Sequence, residues 1–333
     1  MEHNISEKTA ETLKKFPGLV AKIKKELAKK IIGQEKLIDE LLTAVFAKGH
    51  CLLVGVPGLA KTLLIQTLAE IADLDFSRIQ FTPDMMPMDI TGSEILEEDH
   101  ATGHREFKFV RGPIFAQLIL ADEINRTPPK TQSALLEAMQ EQKVTAAGKK
   151  YELTSPFFVL ATQNPIEQEG TYPLPEAQLD RFMFSLNVVY PKFEEEVDIL
   201  LSTTQNKSPE INKVVTAEEI IETQTALREI HIPRSVAQFA VKLASSTRPD
   251  SEFAPDFIKK YLRWGAGPRA CQFLALAGKV YAALDNRFNV TEDDIVKTAH
   301  SVLGHRLVLN YHAEADLRTA PDIIDELIGT LKK

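Results

Sequence analysis

Residues 55–62 read Gly55-Val56-Pro57-Gly58-Leu59-Ala60-Lys61-Thr62. They follow an apolar stretch, residues 51–54, and precede apolar residues at helical spacing, so the context is strand, loop and helix. In such a loop the backbone N–H groups point at phosphate oxygens, and the N-terminus of the helix adds a positive dipole. Lys61 can then reach the β- and γ-phosphates, and the Thr62 hydroxyl can ligate Mg²⁺. The stretch therefore predicts a nucleotide-binding site.

One residue departs from the usual loop pattern, which has glycine immediately before the lysine. Here that residue is Ala60. A Cβ is tolerated at this point only if the backbone stays at negative φ. We therefore expect a negative φ for Ala60.

The composition of the 333-residue chain, 44% hydrophobic and 26% charged, is that of a globular protein with room for two domains. The net charge of −8 argues against a surface built mainly for nucleic-acid phosphates. Since no apolar run approaches the length of a membrane span and no apolar targeting stretch follows the polar N-terminus, we expect a cytoplasmic protein without membrane insertion. Cys51 and Cys271 lie in apolar surroundings and indicate reduced thiols rather than a disulfide or a metal framework.

The order of apolar runs predicts three parts. Residues 1–30 form a helical leader, whose lysines between residues 22 and 30 are the solvated face of a helix. Residues 31–206 alternate short apolar runs with helical segments, which is typical of a parallel sheet covered by helices. Residues 207–333 are helical. The expected strands are His50–Val54, Ile79–Phe81, Leu118–Ala121, Phe157–Thr162 and Phe184–Val188.

Two hairpins and several helix starts can also be predicted. A hairpin is expected within residues 89–111, around a polar turn at 99–103, and a second one within residues 143–153, turning at Gly148–Lys150. In the helical part, Thr216 with Glu219 and Thr291 with Asp294 have the spacing of capping boxes. Pro268 is expected in the first turn of a further helix.

Two acids, Asp122 and Glu123, end the apolar strand at residues 118–121. If this strand lies beside the phosphate loop, both carboxylates reach the edge of the sheet at which ligands bind in open α/β folds. Asp122 would then hold Mg²⁺ through its water shell, and Glu123 would polarise the attacking water. The alternative is an acid pair that caps the next turn.

Three further polar residues each allow two interpretations. Asn164 either contacts the γ-phosphate or its water, or forms a turn before Pro165. Arg181 either stabilises the charge of a transferring phosphate or pairs with Asp180 or Glu176. Arg269 either reaches the γ-phosphate from above or pairs with an acid. His100 and His104 lack further ligands at metal-binding spacing.

The chain resembles the MoxR family of AAA+ ATPases. The resemblance extends from about residue 31 onward and depends on motifs that occur in one order. These are Gly-Val-Pro-Gly-Leu-Ala-Lys-Thr at 55–62, Leu-Ala-Asp-Glu-Ile-Asn-Arg at 120–126, Ala-Thr-Gln-Asn-Pro at 161–165, Leu-Asp-Arg-Phe at 179–182 and Gly-Pro-Arg at 267–269. Alanine is the usual residue of this family at the position of Ala60.

The resemblance implies a P-loop NTPase (AAA+) αβα core with a parallel sheet, followed by an all-helical lid, with ATP and Mg²⁺ as cofactors. It implies that Thr62 and Asp122 bind the metal, that Glu123 is the catalytic base, and that Lys61, Asn164, Arg181 and Arg269 assist it. Asn164 matches the first sensor, Arg269 the second sensor in the lid, and Arg181 the arginine finger that acts on the neighbour's ATP. The implied nucleotide-binding residues are Gly55, Val56, Pro57, Gly58, Leu59, Ala60, Lys61, Thr62 and Asp122, with Ile32 and Gly33 bordering the adenine.

The resemblance also places the chain in the clade shared with the magnesium-chelatase ATPase subunit. Residues 89–111 match the helix-2 insert that marks this clade, and residues 144–153 match the pre-sensor hairpin. It further implies a homo-oligomer, a hexameric ring, that hydrolyses ATP and remodels or matures other protein complexes, with partners of von Willebrand factor A type. No nucleic-acid partner is expected.

Other functions remain open from the residues alone. A nucleic-acid motor or loader would use Lys149 and Lys150 at the tip of the second hairpin. A nucleotide-gated scaffold would bind ATP with little turnover, although the intact acid pair argues against it. A small-molecule kinase is a weaker alternative, because no acceptor pocket can be identified.

Overall fold

The computed structural model describes residues 6–56, 58–98, 105–165, 170–205 and 209–332. The strands are β1 (Cys51–Val54), β2 (Phe76–Gln80), β3 (Gly92–Glu98), β4 (Arg105–Arg111), β5 (Leu118–Asp122), β6 (Lys143–Ala146), β7 (Lys149–Glu152), β8 (Phe158–Gln163), β9 (Phe184–Asn187), β10 (Leu262–Trp264) and β11 (Val308–Leu309).

The helices up to the end of the sheet region are α1 (Glu7–Leu27), α2 (Glu35–Phe46), α3 (Lys61–Ala72), α4 (Pro87–Thr91), α5 (Pro129–Glu141), α6 (Glu176–Leu179) and α7 (Phe193–Thr203). The helices after it are α8 (Ala217–Arg228), α9 (Arg234–Ser245), α10 (Asp256–Tyr261), α11 (Pro268–Leu284), α12 (Glu292–Leu303), α13 (Tyr311–Ala315) and α14 (Ala320–Leu331).

The five strands expected from the apolar runs form one parallel sheet in the order β2-β5-β8-β1-β9. β2 begins three residues before the predicted Ile79, because only Ile79 of this edge strand is buried and hydrophobicity marks only its end. β8 separates β1 from β5. The acid strand β5 therefore lies two positions away from β1, the strand that leads into the phosphate loop, and not directly beside it.

Both faces of the sheet are covered, as expected of parallel strands. Leu53 of β1 and Leu120 of β5 face one apolar cluster, whereas their neighbours Leu52 and Ile119 face the other. α3 contributes Leu64 to the first cluster and α5 contributes Leu135 to the second. The arrangement confirms the predicted αβα layers.

Both predicted hairpins form, as β3–β4 and β6–β7. The turn of the first, with His100 and His104, lies outside the described residues. The second turns at Ala147 and Gly148, with φ of 52° and 72°, so Lys149 belongs to β7 rather than to the turn. A two-residue turn with both φ positive matches the twist of a hairpin, which explains the shift. Phe109 of β4 stacks on Tyr151 of β7, with ring centroids 4.4 Å apart and planes at 14°.

The first helix is part of the packed structure rather than a separate leader. Its apolar face is buried, including Phe16 and Ile23, and α1 contacts α3, α8 and α11. Its lysines face outward as expected, and Lys24 and Lys30 pair with Asp39 and Glu70. α1 therefore links the helix after the phosphate loop to the helical part of the chain.

The later part of the chain forms a helical lid. The two expected capping boxes open α8 and α12, and Pro268 is the first residue of α11. The lid also contains an antiparallel ribbon, β10–β11, so it is not entirely helical. Strands of two or three residues show no periodicity from which they could be predicted. Cys51 and Cys271 are free thiols. Within the described ranges, no helix has both the length and the apolar character needed to cross a bilayer.

Candidate functional site

The phosphate loop joins β1 to α3 as expected, with Pro57 outside the described residues. Gly55 lies against Val188, and a Cβ built on it would come within 2.9 Å of the Val188 Cβ, so no larger residue fits there. Gly58 has φ +85°, and a Cβ built on it would meet no atom within 4 Å. The loop is therefore closely packed at its start and open at its bend.

Ala60 has φ +53°, so the prediction of a negative φ is wrong. The left-handed conformation costs an L-residue roughly 1–2 kcal/mol. Ala60 immediately precedes α3, and its carbonyl accepts the first helical hydrogen bond, from Leu64 N–H at 2.9 Å. The path from the loop into the helix requires a positive φ here, which explains why glycine is the usual residue of such loops.

Lys61 folds back over the loop. Its Nζ donates to the Gly55 carbonyl oxygen at 2.5 Å. Burial lowers the pKa of this ammonium group, and the charges of Asp122 and Glu123 oppose that shift. A half-buried cation that is bonded to a neutral carbonyl oxygen is well suited to receive a phosphate.

Asp122 ends β5 and is held from two sides. Its Oδ1 accepts from the Thr162 hydroxyl at 2.7 Å, and its Oδ2 accepts from Arg78 Nη2 at 2.6 Å and Nε at 3.1 Å. Sequence reasoning missed Arg78, because an exposed arginine on an edge strand carries no pattern. The pairing of β2 with β5 is what brings it to the acid.

Glu123 is positioned by a second set of contacts. Its Oε2 accepts from Gln80 Nε2 and from Arg126 Nη1, both at 2.9 Å, and its backbone N–H donates to the Thr162 hydroxyl at 2.9 Å. Thr162 thus links the backbone of one acid to the carboxylate of the other. Glu123 precedes a short 3₁₀ turn, but its side chain does not cap that turn. The contacts therefore disfavour the alternative that these acids cap the next turn.

Asn164 lies near the start of the loop, and the stretch at Ile32 and Gly33 lies against α7. Asn164 is buried directly after β8, and Gly55 N–H donates to the carbonyl of the preceding Gln163 at 3.2 Å. Asn164 therefore lies at the same edge of the sheet as the loop and the acids. Gly33 has φ +70°, and a Cβ built on it would meet the carboxylate of Glu195, so α7 packs over this stretch. Ile32 is half-buried.

The ends of the parallel strands form two opposite sides of the sheet, which we call the carboxyl edge and the amino edge. The carboxyl edge, where strands end, holds the phosphate loop, Asp122, Glu123 and Asn164. The amino edge, where strands begin, holds Arg181, which lies three residues before the start of β9. The four residues of β1 at about 3.3 Å each separate the two edges by about 13 Å.

Both candidate arginines lie at the amino edge. Arg181 Nη1 donates to the Leu136 carbonyl at 2.6 Å, and no described carboxylate comes within 4.0 Å of it, which excludes the expected pairs with Asp180 and Glu176 among these residues. Arg269 lies 3.7 Å from Asp180 Oδ2 and 3.4 Å from Gln140 Oε1. Arg269 therefore pairs with an acid, and none of these contacts reaches the phosphate loop of its own chain.

The two arginines line one cavity of about 330 Å³. Lys48 and His50, which precede β1, line it too, as does Arg228 at the end of α8. None of the described residues that line it carries a carboxylate. The amino edge thus presents a cationic cavity, whereas the carboxyl edge carries both acids.

The donor set at the carboxyl edge suits magnesium. Mg²⁺ binds one or two protein oxygens together with phosphate oxygens and water. The Thr62 hydroxyl at the start of α3 and the Asp122 carboxylate are such oxygens. Over the described part of the chain, no three His, Cys, Asp or Glu side chains group into a metal cage. A site completed by phosphate is therefore the arrangement that these residues fit.

Comparison with known proteins gives a consistent result. Residues 50–184 match the model of the ATPase family associated with various cellular activities (AAA), and residues 257–327 match the AAA lid domain. The chain is 40% identical over 306 residues to Chaperone MoxR1 of Mycobacterium tuberculosis, covering 92% of this chain and 80% of that protein. It is 41% identical over 317 residues to the uncharacterized protein YeaC of Bacillus subtilis, covering 94% of each.

A solved crystal structure of a candidate ATPase from Cytophaga hutchinsonii has the same fold. It superposes with a TM-score of 0.88 at 40% identity and covers 96% of both chains. The likeness therefore includes the lid as well as the sheet.

Proposed function

Since the chain belongs to the MoxR family of AAA+ ATPases, we propose that it binds ATP with Mg²⁺ and hydrolyses it at a site shared by two copies of the chain. The observation that carries this proposal is the separation of the phosphate loop and acids from Arg181 and Arg269, at opposite edges of one sheet.

At the carboxyl edge, each residue has a proposed role. The loop N–H groups and Lys61 bind the β- and γ-phosphates, and Thr62 and Asp122 hold the metal. When bound, Mg²⁺ neutralises charge that develops on the phosphate oxygens. Glu123 accepts a proton from the attacking water, and the Asn164 amide orients that water. Gln80 and Arg126 fix the Glu123 carboxylate beside the loop before substrate arrives.

At the amino edge, Arg181 and Arg269 supply positive charge to the nucleotide of the adjoining copy. A guanidinium stabilises the charge on a transferring phosphoryl group when it comes within hydrogen-bonding reach. Their own phosphate loop lies a strand's length away, so a neighbour's nucleotide is the phosphate that these groups can meet. A contact that joins unlike edges is heterologous, and repeating it gives a ring when the rotation between copies closes.

The biological role is proposed by analogy. One relative is named a chaperone, and we propose that this chain likewise remodels protein complexes, as a hexameric ring in the cytoplasm with partners of von Willebrand factor A type. We propose residues 31–206 as the nucleotide-binding core, 207–333 as the lid and 1–30 as an N-terminal helix, with Ile32 and Gly33 bordering the adenine. No nucleic-acid partner is proposed, in view of the net charge of −8.

Mixing two inactive variants tests the shared site. Lys61→Ala removes the phosphate-loop cation and Arg181→Ala removes the arginine, so each protein alone should be nearly inactive. In an equal mixture with exchanging subunits, about a quarter of the interfaces combine an intact loop with an intact arginine, and a matching share of the turnover should return. Absence of rescue, under conditions in which exchange is shown directly, would overturn the shared site.

A further inference from the structure

Asp180 connects the segment that carries Arg181 to two arginines of the lid, Arg269 and Arg306. Its Oδ1 accepts from Arg306 Nε at 2.8 Å, and its Oδ2 lies 3.7 Å from Arg269 Nη1. Arg181 follows it directly in the chain. One carboxylate thus contacts both Arg269, which lines the cationic cavity, and Arg306, which lies just after α12.

Arg306 contacts the backbone around Arg181. Its Nη2 donates to the carbonyl oxygens of Asp180 at 2.9 Å and Phe182 at 2.7 Å, and its Nη1 approaches that of Met183 at 3.4 Å. The Arg306 side chain is only 2% exposed. A buried guanidinium is costly to leave unpaired, so these contacts favour a single relative position of the lid and the Asp180–Met183 segment.

We propose that Asp180 and Arg306 are positioning residues that fasten Arg181, next to β9, to Arg269 and the rest of the lid, so that these parts move as one unit. This inference rests on the shared site proposed above. Its consequence is that the lid of each copy follows the nucleotide held by its neighbour. When Arg181 and Arg269 are drawn toward a neighbour's γ-phosphate, Asp180 and Arg306 pass the displacement to the lid.

Asp180→Asn tests this inference, because the proposal predicts which inactive variant restores its turnover in a mixture and which does not. The change keeps the shape of the side chain and removes the charge that orients Arg306. Because a misplacement of about 1 Å can cost on the order of 10²-fold in rate, turnover of the assembled variant should fall by about that factor. Nucleotide binding by the dilute chain should not change. Glu176→Gln, the same change of charge at the start of α6, the short helix that ends just before Asp180, is the matched control and should keep its activity.

Mixtures separate a positioning role from general damage. Asp180→Asn keeps its loop, so it should be rescued by Lys61→Ala, which keeps its arginines. It should not be rescued by Arg181→Ala. Rescue by Arg181→Ala, rescue by neither partner, or full activity of Asp180→Asn alone would each overturn the inference. If the reference mixture of Lys61→Ala and Arg181→Ala also fails, the shared site itself falls.

Arg306→Lys is the second variant, and it keeps a buried cation while losing the forked contacts. It should show the same direction of rescue as Asp180→Asn, since lysine cannot reach Asp180 and the two carbonyls together. Rescue by Arg181→Ala instead of Lys61→Ala would contradict a role on the arginine side.

The sole tryptophan of the chain gives a direct readout of the lid. Trp264 is 67% exposed on β10 and lines a cavity together with Asp180 and Arg306. In a mixture of Lys61→Ala chains, which keep Trp264, with Trp264→Phe chains, which keep the loop, added ATP should change the emission of Trp264. The signal should disappear when the reporter chain also carries Asp180→Asn. An unchanged emission in the first mixture would show that the lid does not respond to the neighbour's nucleotide.

Discussion

The two edges of the central sheet carry opposite chemistry. At the carboxyl edge, Asp122 and Glu123 are fixed by Thr162 beside a loop with one half-buried lysine. At the amino edge, the lining of one cavity includes, within the described ranges, four lysine and arginine side chains and no carboxylate. Asp122 and Glu123 lie at the carboxyl edge, whereas Arg181 and Arg269 lie at the amino edge, so the two sets of residues that we propose for phosphoryl transfer are separated. Under the proposed function, a single copy therefore carries two half-sites at opposite edges of one sheet.

The largest effect is expected at the carboxyl edge. Glu123→Gln removes the proposed base, but its amide oxygen can still accept the hydrogen bonds from Gln80 and Arg126. We therefore expect kcat to fall on the order of 10²–10⁴-fold and the nucleotide affinity to be retained. Steady-state turnover and equilibrium binding check this, and Glu218→Gln, at an exposed position in the first turn of α8, is the control. Unchanged slow turnover would instead support a nucleotide-gated scaffold.

A smaller but more discriminating effect is expected at the amino edge. Arg269→Ala should lower turnover of the assembled protein by on the order of 10–10²-fold, because one of two cations near the transferring phosphate is lost. It should leave the nucleotide affinity of the dilute chain unchanged, as should the control Arg263→Ala. A loss of affinity in the dilute chain would mean that Arg269 contacts its own nucleotide, and the comparison of the edges would fail.

The buried histidine of the amino edge predicts a pH dependence of stability. His50 Nδ1 accepts from Val159 N–H at 3.0 Å, which leaves Nε2–H to donate to the Met139 carbonyl at 3.2 Å. Burial lowers its pKa from 6.5 to about 4. The unfolded chain therefore takes up a proton before the folded one does, and the free energy of unfolding should fall by up to about 3 kcal/mol between pH 6.5 and 4.

Urea unfolding across this pH range, compared with His50→Gln, isolates that contribution. The variant cannot titrate at this position, so its stability should fall less steeply with acid, whatever its stability at pH 7. Parallel curves for the two proteins would show that His50 is protonated equally in both states.

The smallest effect concerns Ala60. Ala60→Gly removes the strain of an alanine in the left-handed conformation but raises the conformational entropy of the unfolded chain. The free energy of unfolding should therefore rise by about 0.5 kcal/mol. Gly58→Ala, at φ +85°, should lose about 1 kcal/mol and serves as the matched change of opposite sign. Thermal unfolding without nucleotide measures both. Equal shifts in one direction would show that backbone strain does not determine the stability of this loop.

The sheet could be predicted from the sequence because its strands are buried apolar runs. Leu118 through Ala121 are fully buried, and their run predicted β5 to within one residue. The polar network on β2 could not be predicted in this way, since Arg78 and Gln80 show no period and acquire their roles only when β2 pairs with β5. Which strands lie side by side depends on tertiary packing, so the apolar runs alone do not predict that β8 lies between β1 and β5.

The position of Arg181 could have been inferred earlier. In a parallel sheet, residues before a strand and residues after a strand lie at opposite edges. Arg181 precedes β9, whereas the phosphate loop follows β1, so their separation is implicit in the order of elements. For Arg269 no such signal exists, because its placement depends on how the lid packs against Asp180 and Gln140.

The stack of Phe109 on Tyr151 joins the two hairpins into one body. β4 continues toward β5, which ends at Asp122, while β6 follows α5, whose Leu136 receives the hydrogen bond of Arg181. A pull on the β3–β4 hairpin would thus be divided between two routes, one along the chain to Asp122, the proposed metal ligand, and the other through α5 and the Leu136 hydrogen bond to Arg181. A force transmitted through the Phe109–Tyr151 stack would therefore reach both parts of the proposed site.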